Sequence, residues 1–369
     1  MSAKNVDLYR ARIEKLKHRI AENDMNGCIL APGPNIRYYT GVSSFLLERP
    51  FLLLVPTHGE IHLVAPTLES GPYLRTDIGI IVHSWNDSEG PSHALEDASS
   101  QLSINGRWGV EGRVPFQYLH QLMKHARPEL TDAETILQGL REIKEPKEVQ
   151  MLQRAASILS KSFEKIFNLI KPGITEFELA NHVKNEVYSN GAESVDDVLI
   201  QSGPMAADPH HQPSTKKIRR KESLVVDATC TVSGYFADIT RTFMLGRDRN
   251  FEGLYQNVLE AQQAAIEASS PGVTVGSVDH AARERLRQAS VDKYFIHRTG
   301  HGLGLEVHEA PYIIPNGKEE LRMSMVFTVE PGAYVPRKMG VRIEDDVLVA
   351  KEGCKVMTDR LPKQFGWWK

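Results

Sequence analysis

The amino-acid sequence predicts an α+β protein of two domains, and three observations carry that prediction. At 369 residues the chain exceeds the size at which a single hydrophobic core stops growing. Up to about residue 130, apolar runs of strand length at 28–31, 51–55, 61–64 and 78–82 alternate with helical stretches, the pattern of a small α/β domain. Beyond residue 150, two amphipathic helices give way at about Ser202 to strands and hairpins, with further helices expected at 251–269 and 275–289.

Between these halves, REIKEPKEVQ (141–150) is charged and interrupted by Pro146, as an interdomain boundary usually is. The reading is therefore an N-terminal domain over 1–135, a linker over 136–148 and a second domain over 149–369. Within the first, a charged amphipathic helix precedes the first strand, and PGPNIRYYTG (32–41) carries the Pro, Gly and Asn of a loop. The second opens with Leu152, Ala156, Leu159, Phe163, Ile166 and Ile170 on one helical face, ending at Pro172-Gly173. Thr175 and Glu178 then form a capping box for a helix running to about Gly191.

Composition excludes several function classes. Hydrophobic residues make up 41% and charged residues 25%, with a net charge of -3, so no field of either sign invites nucleic acid. The basic run KKIRRK (216–221) has no interleaved aromatic residue and reads as a solvated loop. Cys28, Cys230 and Cys354 are odd in number and widely spaced, which fits free thiols in a reducing compartment. With no signal-peptide core at the N-terminus and no apolar run long enough to cross a bilayer, the expected location is the cytoplasm and no membrane partner is expected.

The chemistry-bearing residues lie in the second half. LVVDATCTVSGYFADITRTF (224–243) holds Asp227 and Asp238. A hairpin turn centred between Val232 and Ser233 pairs residues whose numbers sum to 465, setting the two aspartates opposite each other at about 5 Å. Like charges that close repel unless a cation lies between them. Two unrelated surface aspartates are the plain alternative; Val-Ser is a poor hairpin turn, and Gly234 points to a longer or bulged one.

VFTVEPGAYVPRKMGVRIEDDVLV (326–349) behaves similarly: a loop centred on Arg337 brings Glu330 opposite Glu344. A glutamate inside an apolar strand needs a counter-charge, and a salt bridge from Arg342 or Arg241 would also satisfy it. HRTGHGLGLEVHEAP (297–311) adds His297, His301 and His308 among glycines that admit close backbone approach, although a histidine taken singly is more often structural.

Asp227, Asp238, His301, Glu330 and Glu344 form a hard, oxygen-rich donor set that suits divalent Mn, Co, Fe or Zn with positions open to water. One such ion would leave two negative charges buried, whereas two ions neutralise four carboxylates.

In order and in local sequence these residues resemble the pita-bread metallopeptidases, the family of prolidase, aminopeptidase P, methionine aminopeptidase and creatinase. The motifs are GYFADITRTF, TGHGLGLEVHEAP, FTVEPGAY and GVRIEDDVLV, and the resemblance covers essentially the whole chain. It implies a C-terminal pita-bread catalytic domain preceded by a creatinase-type α/β domain. It implies two divalent ions, Mn²⁺ or Co²⁺ first and Zn²⁺ or Fe²⁺ as alternatives. Asp227 would bind one, His301 and Glu330 the other, and Asp238 with Glu344 both.

By the same resemblance Glu330 would shuttle the proton, His210 and His308 would contact substrate, His297 and Tyr334 would line the proline pocket, and Arg342 would support the site, unless it is a purely structural ion pair. The full N-terminal domain and Arg342-Ile343-Glu344-Asp345 look like the proline-specific branch. The implied activity is hydrolysis of the Xaa-Pro bond in dipeptides, with aminopeptidase P action on longer peptides as the alternative and a catalytically silent binding module as a third reading. A proline-containing peptide and a second copy of the chain are the implied partners. Two departures from the family pattern stand out. Thr229 occupies a position where glycine is common, and the short stretch between His308 and Glu330 lacks the arginine loop with which some prolidases grip the dipeptide carboxylate, leaving Lys318 or Arg322 as substitutes.

Overall fold

The computed structural model describes residues 3–366, and the chain divides into two compact units, Met1–Arg141 and Glu142–Lys369. The first contains α1 (Ala3–Glu22), β1 (Gly27–Leu30), α2 (Pro34–Thr40), β2 (Leu52–Pro56), β3 (Ile61–Pro66), α3 (Thr67–Leu74), β4 (Ile80–Trp85), α4 (Ser92–Leu102), β5 (Arg107–Val110), α5 (Phe116–Leu122), β6 (Glu129–Asp132) and α6 (Glu134–Arg141). Its sheet runs β4-β3-β2-β1-β5-β6. The β1–β2 and β2–β3 pairs are antiparallel, and the β3–β4, β1–β5 and β5–β6 pairs are parallel. Every residue of β1, β2 and β3 is buried, which is why β1 and β2 read as apolar runs rather than alternating ones, while β3 buries His62 among its apolar residues.

Two expectations change here. The 32–41 segment is not all loop: Pro34 starts α2, and Gly41, at φ 72°, closes it by donating its N–H to the Arg37 carbonyl. Proline inside the start and glycine past the end are helix signals as well as loop signals. The 136–148 segment carries the end of α6, whose Ile136 and Leu137 are buried, and the start of the next helix, leaving 142–145 as the connection.

The second unit opens with α7 (Pro146–Ile166), capped by reciprocal Glu145 and Glu148 contacts and extended by a 3-10 turn over Phe167–Leu169. α8 (Glu176–Ser189) starts at the Thr175–Glu178 capping box. β7 (Val198–Ser202), β8 (Ser223–Val232) and β9 (Tyr235–Met244) form one antiparallel sheet. After α9 (Arg249–Ala268) and α10 (Val275–Gln288) come β10 (Gly300–Gly302), β11 (Glu309–Ile313), β12 (Val326–Val329), β13 (Gly332–Val335), β14 (Met339–Arg342), β15 (Asp345–Ala350) and β16 (Gly353–Val356). Their sheets are β11-β10-β12-β15-β16 and the pair β13-β14.

Each helix pair covers one sheet. Leu152, Leu159, Leu179 and Val183 pack with Val226, Ala228 and Ile239. Val258, Val278 and Leu286 pack with Phe327, Val329 and Val347. Strand alternation turns Asp227 and Asp238 away from the first of these layers, while Cys230 lies within it, its Sγ 3.8 Å from the Ala155 carbonyl.

The two hairpins fall out differently. In β8–β9 the paired numbers sum to 467, not 465: Val232 faces Tyr235, Asp227 faces Thr240 and Asp238 faces Thr229. The turn is Ser233-Gly234, with φ of 51° and 77°, the doubly positive pattern that matches strand twist in a two-residue hairpin. A slip of two leaves every side chain on its face, so the aspartates are diagonal neighbours rather than direct ones. In the last hairpin, β12–β15 and β13–β14 both keep the sum of 674, about a turn centred on Arg337 at φ 61°. Glu330 and Glu344 sit at the one break in this ladder, where Ile343 still donates to the Pro331 carbonyl at 3.5 Å.

Candidate metal centre

One cavity, of about 260 Å³, is lined by Asp227, Asp238, His301, Glu330 and Glu344 together with His210, His297, His308 and Arg342. One ligand atom from each of Asp238, His301 and Glu344 lies within 4.8 Å of the other two, and all three residues are buried. His301 Nε2 stands 3.2 Å from Glu330 Oε1. Asp227 is tied to Glu344 through Thr240, whose Oγ1 lies 2.7 Å from Asp227 Oδ2 and 2.6 Å from Glu344 Oε2. Arg342 Nη2 donates to Asp227 Oδ2 at 2.5 Å. All five predicted donors therefore converge.

His301 is delivered by backbone that only glycine permits on either side of it. A Cβ on Gly300 would fall 1.8 Å from the Thr328 carbonyl oxygen, and one on Gly302 would fall 2.1 Å from that of Ala310. Glycine at both positions lets β10 lie between its neighbours and present His301. Its N–H is held by Thr328 Oγ1 at 3.1 Å, and the Glu344 N–H donates to the Thr240 carbonyl at 3.1 Å.

Electrostatics favour a cation. Burial, then the charges of Glu344 and Asp227, push the Asp238 carboxyl well above its ordinary range. Burial, then Glu330 and Asp227, do the same to Glu344. Burial would raise Glu330 too, but the hydrogen bond and charge of His301, then His297 and Arg342, bring it down to about 2. Asp238 Oδ1 is buried and, among the described residues, has no hydrogen-bond partner. A buried carboxylate oxygen with no donor, crowded by like charges, is costly as it stands and well suited to a divalent ion.

Around this cluster, Arg342 Nη1 donates to the Tyr334 hydroxyl at 3.0 Å, and that hydroxyl lies 2.9 Å from His297 Nε2. Arg342 thus carries an ion pair and links Asp227 to the predicted proline-side residues. The His308 ring meets His301 edge-on, 4.1 Å between centroids; burial first, then His301 and Arg298, bring His308 down to about 4. His210 is exposed at the cavity mouth.

Neither arginine reaches the Glu344 carboxylate: Arg241 pairs with Asp345 at 2.7 Å and binds the Glu344 carbonyl, while Arg342 takes Asp227. Lys318 and Arg322 do not line the cavity, and Arg322 pairs with Glu142 at 2.5 Å. Three contributors carry no sequence signal of their own. They are Thr240, Asp346, whose carboxylate accepts the Asp238 N–H at 3.2 Å, and Arg298 on the cavity wall. Thr229, in place of a common glycine, accepts the Asp197 N–H on Oγ1 at 3.1 Å.

Residues 150–351 match the model of metallopeptidase family M24, and residues 12–143 match the creatinase/prolidase N-terminal domain. The chain belongs to metallopeptidase family M24. An M24 relative, the Xaa-Pro dipeptidase of Pyrococcus horikoshii, is 32% identical over 96% of this chain and 98% of its own length. The prolidase structure from Thermococcus sibiricus superposes with a TM-score of 0.91 at 34% identity, covering 97% of this chain and 98% of that one. The X-Pro aminopeptidase of Thermotoga maritima gives 0.80 at 28% identity, covering 94% and 99%. The chain therefore has the pita-bread catalytic domain behind a creatinase-type domain, and M24 membership implies use of a divalent metal.

Proposed function

We propose that this chain is a dinuclear metal-dependent Xaa-Pro dipeptidase. The observation that carries the reading is the convergence of four carboxylates and His301 in one cavity of about 260 Å³, small enough to favour a short peptide. The relatives named as Xaa-Pro dipeptidase and prolidase support it.

Asp227 would hold one ion, His301 and Glu330 the other, and Asp238 and Glu344 both. Counting Arg342 against the four carboxylates leaves three negative charges; two divalent ions reverse this to one positive charge, which a single anion from solvent or substrate cancels. Mn²⁺ or Co²⁺ would fill these positions, with Zn²⁺ or Fe²⁺ also compatible with the donors. When bound, such ions make water acidic enough to attack at neutral pH and draw electrons from the scissile carbonyl.

The chain's own residues do the rest. Glu330, held as carboxylate beside His301, would take the proton from the attacking water and return it to the leaving proline nitrogen. His308, neutral at physiological pH, and His210 would hydrogen-bond the substrate carbonyl as charge builds on it. Tyr334 and His297 would line the proline ring's pocket, their mutual hydrogen bond fixed by Arg342. A cytoplasmic homodimer is part of the same reading.

The alternative is aminopeptidase P activity, favoured by the similarity to the Thermotoga X-Pro aminopeptidase. Purified protein, stripped with chelator and reloaded with Mn²⁺ or Co²⁺, is offered Ala-Pro and Ala-Pro-Ala. Faster turnover of the dipeptide is the expected result; preference for the tripeptide would replace the dipeptidase reading. No hydrolysis of either by folded, reloaded protein would leave a silent binding module.

A further inference from the structure

We propose that Arg298 grips the free carboxylate of the substrate and so restricts the site to dipeptides; the inference rests on the dipeptidase reading and assigns its specificity. The cavity wall is rich in acid, with Asp196 and Asp197 joining the four clustered carboxylates. Away from the metal positions, an anionic group lies against such a wall only beside a cation. Two permanent cations line it, Arg298 and Arg342. Arg342 is already occupied, bound to Asp227 at 2.5 Å and to the Tyr334 hydroxyl.

Other arginines nearby are likewise committed: Arg241 to Asp345 at 2.7 Å and Arg283 to Asp279 at 2.8 Å. Arg298 differs. Among the described residues its guanidinium has no hydrogen-bond or ion-pair partner, and it is held instead over the Tyr312 ring, 4.7 Å from the centroid. Contact with the ring face holds the guanidinium in place while leaving its N–H groups unused. That is the state of a fork awaiting a planar, two-oxygen acceptor, and a carboxylate fits it bidentately.

The placement suits a peptide lying across the metal ligands. Arg298 precedes His301 by three residues, and its stacking partner Tyr312 is the cross-strand neighbour of His301. Its charge is also among those felt by His308. A substrate whose second residue is its last presents a carboxylate to this wall; a longer peptide presents a neutral amide there, leaving a charged fork unpaired.

The test compares Mn²⁺-loaded wild type with Arg298→Gln and Arg298→Lys on Ala-Pro and on Ala-Pro amide, with circular dichroism confirming the fold. Loss of a charge-assisted contact is expected to raise KM for Ala-Pro about 10- to 100-fold in the Gln variant while changing kcat/KM for the amide less than about 3-fold. The Lys variant, a point charge without the fork, is expected to fall between. Equal losses on both substrates would overturn the assignment. A second measurement needs no turnover: calorimetric titration with L-proline and L-prolinamide. Wild type is expected to bind the acid more tightly, a preference absent from the Gln variant. No such preference in wild type, or its survival in the variant, overturns the inference. Failure of wild type to hydrolyse any Xaa-Pro substrate would sink the dipeptidase reading, while the calorimetry still reports on Arg298.

Discussion

A hydroxyl carries one hydrogen, yet Thr240 Oγ1 makes short contacts to carboxylate oxygens of both Asp227 and Glu344 and also accepts from Arg342 Nε at 3.1 Å. Its one hydrogen serves only one of these carboxylates at a time, so the two share a single donor. Thr240 is thus the joint between two predicted ligands and the supporting arginine. Thr240→Val is expected to reduce both metal affinity and kcat about 10- to 100-fold, the usual effect of removing a ligand's hydrogen-bond partner, with Thr240→Ser restoring most of it. Metal content after dialysis and steady-state rates measure both. Asp238→Asn separates function from stability more sharply. Activity is expected to fall by orders of magnitude with loss of the proposed bridging ligand, while chelated protein melts higher than chelated wild type, because a mutually repelling carboxylate is gone. Equal melting of the two chelated proteins would show that the cluster's repulsion is relieved in another way.

At the scale of elements, the hairpins show what the sequence made legible. The β12–β15 register was readable because apolar alternation on both arms converges on a Pro-Arg-Lys loop, so Glu330 and Glu344 could be paired by arithmetic alone. The β8–β9 register was not, since serine rarely adopts the positive φ that Ser233 takes, and the sequence alone puts the turn one residue early. The site survived because a two-residue slip preserves faces. Thr240 and Asp346 were invisible for another reason: a strand threonine or a second acid after Glu344 has no distinguishing pattern until the chain folds. Ser233→Asn puts the residue favoured at the first position of such a turn into a strained place, and is expected to stabilise the protein by about 0.5 to 1 kcal/mol, read as a higher melting temperature. Gly300→Ala is its opposite. The added methyl meets a backbone carbonyl rather than a flexible side chain, and a loss of more than about 3 kcal/mol is expected, with the His301 strand displaced.

For the whole molecule, metal binding acts on one unit, while acid also reaches the other. Bound metal stabilises only the unit that holds its ligands, Glu142–Lys369. Acid acts on the first unit through His62 and His83, which stack in adjacent parallel strands with His62 Nδ1 2.9 Å from His83 Nε2. Burial, then the neighbouring ring, brings His62 down to about 4, and burial lowers His83 despite the opposing charge of Asp97. A histidine whose folded value lies below its unfolded one binds fewer protons when folded. Its contribution to stability is therefore complete above about pH 6.5 and is lost as the pH falls towards 4. Hydrogen exchange read separately in the two units is expected to show loss of protection in Met1–Arg141 on acidification from 6.5 to 4, much reduced in His62→Gln. Chelation at pH 7.5 is expected to loosen Glu142–Lys369 instead. An identical acid response in wild type and His62→Gln would place the acid-sensitive group elsewhere.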